Sequence, residues 1–96
     1  MSPALSYNVP EMAIKNKRAG QQMKELRDAL ALTMREVHVV TKEIAKGMRN
    51  PDYTVSPSRL SDIEDKGRTP NLYRLHALAL TYKRNVRKLL MFYNIK

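Results

Sequence analysis

The stretch that most constrains the fold runs from Ser56 to Pro70, S-P-S-R-L-S-D-I-E-D-K-G-R-T-P. It reads as one short helix with both ends marked. The Ser56 hydroxyl can accept from an orphan N–H of the first turn, and Pro57 suits a first helical position that needs no N–H. Gly67 supplies a C-terminal stop and Pro70 blocks continuation. Only Leu60 and Ile63 are apolar; three apart, they share one face, so only that narrow stripe needs burial. Ser58, Arg59, Ser61 and Asp62 are left facing outward. Such a helix is built to be presented to a partner while the rest of the chain supports it.

The support is helical. Residues 1–18, with Pro3 and Pro10 and no sustained period, read as an arm ending in the basic cluster Lys15, Lys17 and Arg18; residues 19–96 form the domain. Helix one is predicted over about Ala19 to Ala31, with Met23, Leu26 and Leu30 as its core stripe and Lys24 and Asp28 spaced for an i, i+4 pair. Arg27 sits beside that stripe, where a guanidinium calls for a carboxylate. Thr33-x-x-Glu36 is a capping box that opens helix two. Its apolar stripe, Val37, Val40, Ile44 and Met48, carries it to Lys46 or Gly47. Arg35, His38, Lys42, Lys46 and Arg49 fall in one sector, placed opposite the stripe, where they can track a phosphate backbone. Asn50-Pro51-Asp52 breaks the helix. Tyr53 and Val55 alternate too briefly to define a strand. Thr69 and Pro70 are read as the cap and start of helix four, whose stripe is Leu72, Leu75, Leu78, Ala79 and Tyr82. Helix five follows from about Asn85, with Val86, Leu89, Leu90 and Phe92 or Tyr93 apolar. Its tail, Met91 to Ile95, needs a cover, either a partner chain or helix one.

Composition excludes several classes of function. There is no cysteine, hence no disulfide and no thiolate metal site. His38 and His76 lie on separate predicted helices, and a lone histidine is not a metal site. Gly20, Gly47 and Gly67 are isolated, so no phosphate-cradling loop forms. No enzyme activity, cofactor, metal or small-molecule ligand is expected. No apolar run reaches the roughly 18 residues of a membrane span, and the N-terminus lacks the pattern of a secretion signal, so a cytoplasmic protein is expected. The net charge is +9, and residues 66–96 hold eight lysines and arginines and no acid. A block of one sign this dense points to a polyanion.

A supported helix with small polar and basic residues on its outer face suits the major groove of double-stranded DNA. Arg59 can donate to guanine O6 and N7, Ser58 and Ser61 can meet bases or phosphates, and Asp62 can accept from cytosine N4. Arg35, Lys42, Lys46, Arg49, Arg68, Thr69, Asn71 and Arg74 are the candidate phosphate contacts.

The runs G-Q-Q-M-K-E-L-R-D-A-L-A-L-T-M-R-E-V and S-R-L-S-D-I-E-D-K-G-R-T-P-N-L-Y-R-L-H-A-L-A resemble the Cro/phage-repressor-like (XRE) helix-turn-helix family of bacterial transcriptional regulators. The resemblance spans about Gly20 to Leu90 and rests most on L-S-x-I-E, the following Gly and T-P. It implies an all-α, five-helix, lambda-repressor-like DNA-binding domain, homodimers on palindromic operators, and helix three (about Ser56–Lys66) in the major groove. It also implies that Arg27 pairs with Glu64 and that helix five carries the dimer contact, here Leu89, Leu90, Phe92 and Tyr93. The chain departs from the family in three ways. Met34 and Pro57 stand where glutamine is frequent. One extra residue separates Glu64 from Gly67. The segment from Val37 to Ile63 is about a dozen residues longer, which predicts an extended helix two and a long loop before helix three. Asp62, Met34 and Pro57 favour an alternative, a protein-interaction module of the same fold that would use the long helix-two insertion and the apolar C-terminus; the acid-free basic C-terminal third disfavours it. RNA binding ranks last, because Tyr7, Tyr53, Tyr73, Tyr82, Phe92 and Tyr93 are scattered along the sequence.

Overall fold

Five α-helices and one 3-10 turn make up the structure, a computed structural model that describes residues 16–94. They are α1 (Lys17–Ala29), α2 (Met34–Met48), the 3-10 turn (Pro51–Tyr53), α3 (Pro57–Asp65), α4 (Leu72–Tyr82) and α5 (Val86–Phe92). The fold is all-α. Residues 1–15, and the expectations placed on them, lie outside the described residues; Lys17 and Arg18 open α1 instead of ending an arm. No described helix is long and apolar enough to cross a membrane.

Each helix starts on a side chain that takes an orphan backbone N–H. Asn16 caps α1, Ser56 caps α3 and Asn85 caps α5. At α2 the capping box is complete: Glu36 N–H donates to Thr33 Oγ1 at 3.1 Å, and Thr33 N–H donates to Glu36 Oε1 at 2.8 Å. These bonds favour the charged carboxylate and hold it below its usual range. For α4 the expectation is corrected. The cap is Asn71, whose Oδ1 accepts from Arg74 N–H at 2.8 Å, and the helix begins at Leu72.

The core is built from Ala19, Met23, Val37, Val55, Leu60, Ile63, Leu75, Leu78, Ala79, Tyr82, Leu89 and Tyr93. α1 packs on α3 and α5, α2 on α3 and α4, and α4 on α5. Two predicted stripes shift. On α1 the buried side is Ala19, Gly20, Met23 and Arg27, while Leu30 is exposed, because the helix ends at Ala29. On α2 the buried line is Val37, Thr41 and Ala45, and Val40 and Met48 reach solvent. The reason is polar: Val55 N–H donates to the buried Thr41 hydroxyl at 3.0 Å, turning that side of α2 inward. The basic residues of α2 consequently flank the buried line instead of opposing it.

The dimer contact assigned to Leu89 and Tyr93 is also corrected. Both are buried within the chain's own core, and Leu90 and Phe92 pack against that core half-buried. α5 closes over α1 and α4, so Phe92 and Tyr93 of the tail find cover in the same chain, while Met91 stays exposed.

Candidate nucleic-acid interface

The inner side of α3 is fixed against α1. A Cβ on Gly20 would stand 2.6 Å from the carbonyl oxygens of both Ile63 and Glu64, so only glycine permits this approach. At the end of α3, Gly67 takes φ +70, and its carbonyl accepts from Asn16 N–H at 2.6 Å. A side chain there would be strained by that φ and would meet the Asn16 backbone at 2.5 Å. Between these glycines lies an ion pair. Arg27 Nε donates to Glu64 Oε2 at 2.8 Å and Nη2 donates to Oε1 at 2.9 Å, a bidentate fork. Arg27 Nη1 donates to Leu32 O at 2.8 Å, tying the α1–α2 turn to the same guanidinium. The bonds to Glu64 outweigh desolvation and hold Arg27 yet more firmly charged than usual. Asp28, expected to meet Lys24, approaches Arg27 at 3.7 Å instead. The Tyr82 and Tyr93 hydroxyls are buried without a hydrogen-bond partner among the described residues. Burial, and then the Glu64 charge, raise both phenols above their ordinary range.

The outer side of α3 is open, but less of it is available than its sequence implies. Ser58 and Arg59 are exposed. Ser61 is half-buried and donates to Asp65 Oδ2 at 3.0 Å. Asp62, also half-buried, holds Lys66 Nζ at 3.4 Å. The face therefore narrows to the first turn of the helix.

Beside that turn, Arg59, Arg68 and Arg74 line a cleft of about 290 Å³ together with Ile63, Pro70 and Asn71. No carboxylate lines it. The α4 N-terminus, capped by Asn71, opens toward it and adds the positive end of a helix dipole. Arg74 is half-buried and donates from Nε to Thr54 O at 3.1 Å. Burial, and then the charge of Arg59, lower its affinity for its proton. Two mutually repelling guanidiniums at a helix N-terminus form a site that an anion stabilises.

The predicted phosphate contacts of α2 lie elsewhere. Arg35, Lys42, Lys46 and Arg49 are exposed along α2, with Lys46 weakly paired to Glu43 at 3.7 Å. Thr69, half-buried, belongs to the α3–α4 cleft. Met34 packs against the core and offers no polar contact. Sequence reasoning missed the meeting of Tyr53 with Tyr73 (centroids 5.4 Å apart) and with His76 (5.9 Å), which fastens the 3-10 turn to α4. No pattern within either segment announces this contact.

No family model matches the chain, and neither does any curated protein or solved structure.

Proposed function

We propose that this chain is a sequence-specific DNA-binding regulator of transcription that places the first turn of α3 in the major groove. The observation that carries this reading is the convergence of Arg59, Arg68 and Arg74, without a lining carboxylate, beside the open end of α3. Duplex DNA offers the phosphates such a cleft attracts and, next to them, base edges that a small polar helix tip can reach. Arg59 then reads guanine or holds its flanking phosphate, Ser58 supports it, and Arg68, Asn71 and Arg74 hold the backbone. The acid-free segment 66–96 supplies the long-range attraction. Glu64 does not oppose it, because Arg27 neutralises that charge inside the fold.

Selection of bound fragments from random duplex DNA tests the reading. A recurrent motif is expected, with half-sites about 10 bp apart if the protein acts as a homodimer. Failure to retain any duplex at low salt contradicts it.

A second reading, a protein-interaction module, is favoured by one observation. Leu72, Tyr73 and Leu80, exposed by 69%, 47% and 46%, leave an apolar side of α4 uncovered. Co-purification with one fixed protein partner, and no duplex binding, decides for it.

A further inference from the structure

The segment between α2 and α3 builds a second basic cleft, separate from the one beside α3. α2 runs on to Met48 and closes with Arg49 in the left-handed conformation, φ 55. Asn50 N–H then donates to Ala45 O at 3.0 Å, and the 3-10 turn folds back. Lys42, Lys46 and Arg49 thereby surround a cleft of about 300 Å³ walled by Ala45, Pro51 and Thr54. No carboxylate lines this cleft either. The nearest acid on α2, Glu43, meets Lys46 only on the exposed surface at 3.7 Å, an arrangement that water and salt screen.

The wall of the cleft is fixed from three directions. Tyr53 packs on Tyr73 and His76, Thr54 O accepts from Arg74, and Val55 N–H donates to Thr41. Thr54 lines the second cleft, and Arg74, its hydrogen-bond donor, lines the first. The two clefts share no lining residue and meet at that bond. Ser56, the cap of α3, follows Thr54 by two residues, so the helix tip rises from the divider between two basic hollows.

We infer that the two clefts hold phosphates on opposite strands of one duplex, Lys42, Lys46 and Arg49 on one strand and Arg68 and Arg74 on the other, with the α3 tip entering the groove between them. This rests on the DNA-binding reading of α3. With its side chains an α-helix is roughly 10–12 Å across, close to the roughly 12 Å width of a major groove. A helix entering such a groove tip-first meets a phosphate ridge on each flank. A tip made of Ser56, Pro57 and Ser58 is thin enough to enter, and cations stand in each of the two clefts that meet at the Thr54–Arg74 bond. The basic residues of α2 therefore belong to the strand that the α3–α4 cleft does not reach.

Phosphate-ethylation interference, read on each strand of a selected duplex, tests the inference. The variants are Lys42→Ala/Lys46→Ala and Arg68→Ala, all at exposed positions, with thermal melting as the control for folding. With the unmodified protein, interference is expected on both strands. Lys42→Ala/Lys46→Ala should weaken it on one strand, where only Arg49 remains, and make the slope of log K against log salt shallower by about 2, near 0.9 for each phosphate lost. Arg68→Ala should weaken it on the other strand, where Arg74 remains, and lower the slope by about 1. Binding with an unchanged slope in Lys42→Ala/Lys46→Ala, or loss on the same strand in both variants, overturns the two-strand arrangement while leaving the α3 reading intact. Absence of duplex binding by the unmodified protein overturns both.

Discussion

The nine residues of α3 meet two unlike environments. On the α1 side, Leu60, Ile63 and Glu64 are buried, Gly20 leaves no room for a methyl group, and Glu64 is held by a bidentate arginine. On the α4 side, Ser58 and Arg59 are exposed beside a cleft in which Arg59 and Arg68 have no ion pair among the described residues. On the first side the buried charges are paired with each other, while the second gathers three arginines in a cleft with no carboxylate in its lining. The difference separates two roles within one short helix. Inward residues set where the helix sits, and outward residues set what it attracts. An acid in a helix meant for DNA is tolerable here because its charge is neutralised on the inward side.

Substitutions that cross this division test it. The largest effect is expected from Glu64→Ala, which strands a buried guanidinium and should cost about 3–5 kcal/mol. Calorimetry should show a fall in Tm of many degrees, and an unchanged Tm would remove the pair from its structural role. Gly20→Ala forces a Cβ onto two carbonyl oxygens and should cost about 1–3 kcal/mol in denaturant unfolding, although it deletes no contact. Arg59→Ala should do the opposite. It should leave stability within about 0.5 kcal/mol while weakening a selected duplex by about 1–3 kcal/mol, and non-specific DNA by less. Equal loss on both kinds of DNA would make Arg59 a phosphate contact only.

A smaller effect probes the inward side by pH. The Tyr82 phenol is raised by burial above its unfolded value near 10. Stability is therefore full below about pH 10 and is lost as pH rises toward the folded value, because the unfolded chain releases the proton first. Tyr82→Phe removes a buried hydroxyl that has no partner. It should be neutral or stabilising by up to about 1 kcal/mol at pH 7 and should flatten the alkaline loss. Melting curves across pH 7 to about 11 check both statements.

Much of the inward side was legible in the sequence, and less of the outward side. Start and stop signals act within four residues, which is why the Thr33–Glu36 box, the Ser56 cap and the Gly67 stop could be read directly. Arg27 at a core edge asked for a carboxylate, and the family resemblance named Glu64. The apolar stripe of α2 misled because Thr41 is buried by a hydrogen bond to Val55, fourteen positions away, which no apolar periodicity records. Asn71 displaced Thr69 as the α4 cap for a local reason: its Oδ1 accepts from Arg74 N–H three residues on, and both residues are capping types in sequence. Leu89 and Tyr93 were assigned to a partner because the closing of α5 over α1 is a tertiary fact. The two clefts were not legible at all. Their cations could be listed, but their grouping depends on the path of the chain from Met48 to Ser56, fixed by Tyr53, Thr54 and Val55.

The most direct test of the central claim is duplex affinity as a function of salt for the unmodified protein and for Arg59→Ala/Arg68→Ala, with melting temperature recorded beside it. Log K is expected to fall linearly with log salt for the unmodified protein, and the variant to bind at least tenfold more weakly with a shallower slope while melting at the same temperature. Equal binding by the two proteins, or no binding by either at low salt, would contradict it.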